Sequence, residues 1–260
     1  MLTSFANGQL IGARYGQATP WVLALHGWAR THTDFDQILC SGSSDNEIDA
    51  IALDLPGFGA AQEPTGPWGS LDYAHLVAGV LDEMGEDVVV VGHSFGGRVA
   101  VQLAVEHPDR VSALVLTSAP VCSAPRQART APRLAHRYRL IRSLARAHVL
   151  SPQRLEDARV RFGSRDYAAA SGVMRQVLVR VVNEIYDSEM SSISCPIELL
   201  WGEEDRDVPP EVAQAVLAQI PKTVQSSLIL CPGVGHLTPL EAPNELRAAI
   251  LRHKPRARPS

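Results

Sequence analysis

The run Gly92-His93-Ser94-Phe95-Gly96-Gly97 follows Val88-Val89-Val90-Val91 directly and leads into a helical pattern near Arg98. A strand that turns into a helix within so few residues forms a nucleophile elbow: the central Ser94 is held in strained geometry above the sheet, and glycines two before and two after remove colliding side chains. The helix behind it offers backbone N–H groups and a partial positive charge to an anion forming there. An alcohol is a weak nucleophile at neutral pH, so Ser94 needs a general base, and the base needs a group that fixes its tautomer. Nine histidines compete for the first place. His236, in Gly233-Val234-Gly235-His236-Leu237, sits just after the last strand-like run, on a glycine-rich loop that lets a side chain lean over a neighbouring elbow. For the orienting acid, Gly202-Glu203-Glu204-Asp205-Arg206-Asp207-Val208-Pro209 offers four carboxylates within five residues, and spacing does not choose among them.

These residues need a scaffold that brings strand ends together. Residues 21–25, 48–53, 88–91 and 111–117 are short Val-, Leu- and Ile-rich runs bounded by turn residues, and helical patterns at 71–84 and 98–106 lie between them. Alternating strands and helices imply an α/β fold, a mostly parallel sheet with helices on both faces. Two more strands, 197–201 and 227–231, flank a helix at 211–219. The spacing therefore predicts a core of residues 1–121 and 191–260, interrupted at 122–190 by an inserted α-helical cap with helices at 132–149, 152–162 and 166–185. In the first of these, Leu134, Tyr138, Ile141 and Ala145 recur at helical spacing with Arg139, Arg142 and Arg146 on the other side; Thr130 is a candidate cap and Pro132 suits the first turn. The tail, 252–260, with two prolines, reads as a frayed end.

Charge is unevenly spread over the 260 residues. The net charge is −4, yet the cap stretch holds 13 Arg, no Lys and 6 acids. An acidic total argues against nucleic-acid partners, which need a phosphate-matched excess of Lys and Arg. The cationic island suits a carboxylate or phosphate, through bidentate hydrogen bonds from Arg126, Arg129, Arg133, Arg137, Arg142 or Arg146, and it would steer an anionic substrate or an acidic carrier protein. Cys40, Cys122, Cys195 and Cys231 form no CxxC pair, so no metal site is expected and the thiols are read as small buried hydrophobes. Residues 1–17 lack the basic start and apolar stretch of a signal peptide. No apolar run approaches the roughly 18 residues of a membrane span, so no membrane partner and a cytoplasmic setting are expected.

The ordered series His26-Gly27-Trp28, Asp54-Leu55-Pro56-Gly57-Phe58-Gly59, the elbow, the acid loop and the histidine loop resembles the α/β-hydrolase superfamily. The resemblance implies a serine hydrolase with catalytic Ser94, Asp205 and His236 and no cofactor, Asp207 being the second choice of acid. It also implies an oxyanion hole from the backbone N–H groups of Trp28 and Phe95, whose rings would line the acyl pocket, with His26 holding the oxyanion loop. Asp54 reads as structural and His107 as a surface residue. The expected substrate is a small-molecule carboxylic ester or thioester, with Trp28, Phe95, Arg133, Arg137 and Arg142 as candidate binding residues. In part the chain is similar to the carboxylesterases that demethylate pimeloyl-acyl carrier protein, whose elbow carries Trp where this chain has His93. Gly96-Gly97-Arg98 is similar to the menaquinone-pathway synthases, cofactor-free lyases of the same fold, and other members of the fold are ligand receptors.

Overall fold

In a computed structural model, the residues described are 2–40, 47–122 and 165–255. They form an eight-stranded sheet in the order β1-β2-β4-β3-β5-β6-β7-β8. The strands are β1 (Leu2–Phe5), β2 (Leu10–Tyr15), β3 (Val22–Leu25), β4 (Ala50–Asp54), β5 (Val88–His93), β6 (Val111–Thr117), β7 (Ile197–Gly202) and β8 (Ser226–Cys231). From β4 through β8 the neighbours run parallel; β2 pairs antiparallel with both β1 and β4. The six strands expected from sequence are all present, and the β1–β2 hairpin is an addition to them.

The parallel strands from β3 to β7 are largely buried on both faces, whereas β8 at the edge is partly exposed, and successive residues divide between two cores. Leu23, Leu25, Ile51, Leu53, Val88, Val90, Leu114 and Leu116 belong to one. Val22, Ala24, Ala50, Ala52, Val89, Val91, Ala113 and Val115 belong to the other. This is the period of two expected of extended chain, and each fully buried Val or Leu contributes about 1.5–3 kcal/mol. The helices that cover the faces are α1 (Asp36–Leu39), α2 (Ser70–Ala78), α3 (Phe95–Glu106), α4 (Arg165–Ala169), α5 (Gly172–Val181), α6 (Asp187–Ser192), α7 (Pro210–Gln219), α8 (Thr238–Glu241) and α9 (Pro243–Arg252).

Several expectations change in detail. The helix expected over 71–84 ends at Ala78, and residues 81–83 form a separate 3-10 turn. The one expected over 166–185 is divided into α4 and α5 by Ala170 and Ser171, and Gly172, which opens α5, has φ 52°. Glycine tolerates that left-handed conformation, and it turns the chain where an apolar periodicity alone would run on. The start of the tail is anchored where fraying is expected: Arg252 closes α9, and both it and His253 reach the buried Glu198 of β7, His253 Nε2 at 3.2 Å, while residues 256–260 lie outside the described residues. Of the thiols, Cys195 and Cys231 are buried, but Cys40 is exposed and Cys122 half-buried, because Cys40 caps α1 at the surface. The expected cap helices 132–149 and 152–162, with Arg126, Arg129, Arg133, Arg137, Arg139, Arg142 and Arg146, lie outside the described residues.

The chain that returns toward β7 is tied to the core by polar contacts. Tyr186 donates its hydroxyl to Glu184 and accepts from Ser70 Oγ at 2.9 Å, and the Glu184 carboxylate also accepts the Ser70 N–H at 3.0 Å. Arg98 of α3 donates to the Val181 carbonyl and lies 5.5 Å over the Tyr186 ring. Among the described residues no helix is long and apolar enough to cross a membrane.

Candidate active site

Trp28, Ser94, Phe95, Asp205 and His236 all follow the carboxyl ends of parallel strands, where open α/β sheets collect their ligands. Between β5 and α3, Ser94 has φ 49° and ψ −108°, far outside the usual space for a residue with a side chain. The turn is tight because α3 packs against the end of β3: a Cβ on Gly96 would stand 2.1 Å from the Leu25 carbonyl oxygen. Ser94 N–H donates to the Thr117 carbonyl at 2.9 Å, which ties the elbow to β6.

His236 Nε2 lies 3.2 Å from Ser94 Oγ, and His236 Nδ1 lies 2.9 Å from Asp205 Oδ2. The carboxylate accepts at Nδ1–H, so that nitrogen carries the proton and Nε2 is left as the acceptor for the serine hydroxyl. The acid and histidine loops are also joined through their backbones, Glu203 N–H to the Cys231 carbonyl at 3.0 Å and Glu204 N–H to the Val234 carbonyl at 2.9 Å. Of the four carboxylates the sequence offered, Asp205 alone is buried, at 3% exposure, and it turns inward to His236; Glu203, Glu204 and Asp207 face solvent. Its Oδ1 accepts the N–H groups of Asp207 at 3.0 Å and Val208 at 2.8 Å.

The electrostatics follow from this packing. Burial pushes the Asp205 carboxyl up, but its bonds from His236, Val208 and Ser118 outweigh that and hold it below the usual carboxylate range. For His236 burial opposes the cation, and the carboxylates of Asp205, Asp207 and Asp166 more than offset it, so its pKa stands above the ordinary histidine value. His93, packed beside it at 5.2 Å between ring centres, is fully buried and held down to about 3, by burial first and by His236 next. It stays neutral, bonded through Nδ1 to Thr117 Oγ1 at 3.0 Å.

The loop after β3 approaches the elbow closely. A Cβ on Gly27 would lie 2.9 Å from the His93 ring and 3.4 Å from Ser94 Cβ. Trp28 and Ala29 form the turn that follows, closed by Arg30 N–H to the Gly27 carbonyl at 3.2 Å, with Ala29 at φ 54°. His26 holds this loop: its Nε2 accepts the Leu55 N–H at 2.9 Å and its Nδ1 donates to the Gly27 carbonyl at 2.7 Å, while burial keeps it neutral with a pKa of about 4. Phe95 opens α3, so its N–H is among the donors that a helix's first turn leaves without an intrahelical acceptor. The Trp28 ring packs edge-on against Phe58 at 4.9 Å and Phe95 at 5.6 Å, and Tyr73 meets Phe95 at 5.0 Å, so an aromatic wall stands beside Ser94. Asp54 is used structurally: its carboxylate accepts His32 N–H at 2.8 Å and Ala60 N–H at 2.9 Å, closing the turn at 56–59.

Three contributors were missed in the sequence. Asp166, on α4, sends its field to His236, and Ser118, whose Oγ lies 3.2 Å from Thr238 Oγ1, helps to hold the Asp205 carboxyl down. Single hydroxyls after a strand carry no spacing signal, and Asp166 lies in a stretch that reads only as amphipathic helix.

A strained serine at an elbow, a histidine and a buried acid, delivered by the ends of β5, β8 and β7 of a mostly parallel sheet, define a class of hydrolases. The chain belongs to the alpha/beta hydrolase family, whose model matches residues 22–249. It is 32% identical over 206 residues to a 2-hydroxymuconate semialdehyde hydrolase of Pseudomonas putida, covering 74% of this chain and 71% of the relative. To the lipase LipV of Mycobacterium tuberculosis it is 29% identical over 266 residues, covering 91% of this chain and 94% of the other. Among solved structures, a thermophilic esterase from Thermogutta terrifontis superposes with a TM-score of 0.66 at 25% identity, over 97% of both chains.

Proposed function

We propose that the chain is a serine hydrolase that cleaves a carboxylic ester or thioester through an acyl-enzyme on Ser94. The observation that carries this reading is the continuous relay from Ser94 Oγ through His236 to Asp205, at 3.2 and 2.9 Å. Ser94 attacks the carbonyl carbon as His236 Nε2 takes its proton. Asp205 holds the imidazole in register and stabilises the cation. The N–H groups of Phe95 and Trp28 receive the oxyanion, each such donor being worth about 3–4 kcal/mol in the transition state. His236 then protonates the leaving alcohol or thiol, and a water activated by the same nitrogen releases the acid. The aromatic wall of Trp28, Phe58 and Phe95 suits an apolar acyl or aryl group next to the carbonyl.

The base works only when His236 is neutral. Because neighbouring carboxylates raise its pKa above the ordinary 6.5, kcat/KM for p-nitrophenyl esters is expected to fall on the acid side along a single limb centred above that value. The same samples should be labelled at Ser94 by a fluorophosphonate. An absence of both ester turnover and labelling overturns the reading.

Residues 122–190 are proposed to form a helical cap whose arginines receive an anionic or carrier-bound acyl substrate. Reversing Arg133, Arg137 and Arg142 to Glu should then raise KM for anionic esters about tenfold more than for neutral ones, the size of one charge-assisted hydrogen bond. Equal effects on both substrates would leave these arginines as solvated surface.

A further inference from the structure

The loop after β3 is held by more than the His26 ring. Arg30 turns its guanidinium back onto Asp34, with Nε donating to Oδ2 at 2.8 Å and a terminal NH2 group to Oδ1 at 2.5 Å, the two-pronged geometry that guanidinium and carboxylate share. Asp34 is only 4% exposed and belongs to the 3-10 turn His32–Phe35, which packs against β3, β4 and α8, the helix that follows His236. His32 fastens the same turn to β4, its N–H at 2.8 Å and its Nδ1 at 2.7 Å from Asp54 Oδ1. Arg30 is thus tied to a turn docked on two strands of the sheet and on the helix after the histidine loop.

What this anchor holds is a peptide plane. The Arg30 N–H donates to the Gly27 carbonyl at 3.2 Å, and His26 Nδ1 donates to the same oxygen at 2.7 Å. That carbonyl shares one planar unit with the Trp28 N–H, and among the described residues no peptide bond is cis, so fixing the oxygen turns the N–H the opposite way. The Gly27 side of the unit lies against the elbow, a Cβ there standing 3.4 Å from Ser94 Cβ. Just beyond it Ala29 is kept at φ 54°, a conformation that costs free energy and persists only where its surroundings over-determine it. His26 supplies that constraint on one side of Ala29, and the Arg30–Asp34 pair supplies it on the other.

We propose that Arg30, clamped on Asp34, is a positioning residue that holds the Gly27–Trp28 peptide with its N–H turned to the oxyanion formed at Ser94. The inference rests on the hydrolase reading of Ser94, His236 and the Trp28 N–H. The guanidinium itself stays outside the chemistry: both of its bonds go to the buried carboxylate, and its effect on the reacting atoms passes through the backbone of its own turn.

The test compares wild type, Arg30→Met, Arg30→Lys, the double variant Arg30→Met with Asp34→Asn, and Ser94→Ala. For each, kcat, KM and the acid limb are measured with a p-nitrophenyl ester, together with the inhibition constant of an aliphatic trifluoromethyl ketone and the thermal midpoint. Ser94 Oγ adds to the ketone carbon as His236 takes the serine proton, so the affinity of this adduct reads the oxyanion donors directly. Deleting such a donor costs about 100- to 1,000-fold in kcat; Arg30→Met leaves it in place but loosens it, and should lose about tenfold in kcat at unchanged KM, with the ketone weakened by the same factor. Arg30→Lys keeps the charge without the fork and should lose only about threefold. Arg30→Met also strands a buried carboxylate and should lower the midpoint. The double variant removes both charges, so its midpoint should return toward wild type while kcat and ketone affinity stay down, which separates positioning from folding. With the charges cancelled, its acid limb should stay where it is in wild type. A double variant with wild-type kcat and ketone affinity overturns the proposal. So does a loss in kcat without a matching loss in ketone affinity, or a moved limb in the double variant, because the defect would then lie at His236. Should Ser94→Ala keep its turnover, it is the hydrolase reading that fails.

Discussion

Replacing Ser94 with alanine is expected to lower ester turnover by on the order of a million-fold and to abolish fluorophosphonate labelling, while leaving the fold intact. The change deletes one oxygen, whose bond in the structure is to His236. The backbone at φ 49° is equally demanding for serine and alanine, so the elbow's strain is carried over unchanged. Neighbouring turns stay pinned by the Ser94 N–H to Thr117 and by the packing of Gly96 on β3. Thermal midpoints of the two proteins should therefore agree within about 2 °C, a shift that corresponds to less than 1 kcal/mol for a chain of this size. A large drop in midpoint, or turnover that survives the change, contradicts the prediction.

The second large effect separates two acids that stand two residues apart. Asp205→Asn is expected to lower kcat by on the order of 10^4-fold, and Asp207→Asn by less than about tenfold, since its field reaches His236 through solvent. In the Asp205→Asn variant the amide oxygen would remain where two backbone N–H groups point, at Asp207 and Val208. The amide NH2 would then face His236 Nδ1 and force that nitrogen to accept. The ring proton moves to Nε2, which can no longer take a proton from Ser94. Side-by-side kcat values for the two variants decide the assignment, and a larger loss at Asp207 would transfer the role to it.

Much of the core was legible because it is written in local chain geometry. Gly92 and Gly96 around Ser94 report a close approach, and four apolar residues before the motif report a strand buried on both faces. The choice of acid was not legible, because Glu203, Glu204, Asp205 and Asp207 differ only in which one the folded loop turns inward. At the N-terminus the sequence held a usable signal: Asn7-Gly8 sits in a hairpin whose Ala6 and Asn7 both have positive φ. It passed unread because β1 is mostly exposed and shows no alternation of apolar and polar residues. Ser118 and Thr238 are 120 residues apart in the chain, and the docking of Arg252 and His253 on Glu198 spans 54 and 55. Such pairings depend on tertiary packing and leave no periodicity behind.

Ala29, Ser94 and Ser118 all adopt positive φ, and they occupy the turns that leave β3, β5 and β6 beside one another. Each such residue raises the free energy of the native chain by about 1–3 kcal/mol. Whole domains are stable by only about 5–15 kcal/mol. Heat resistance and turnover are thus set against each other at these three corners: selection for endurance alone would relax them toward glycine, and the placement of the reacting atoms would relax with them.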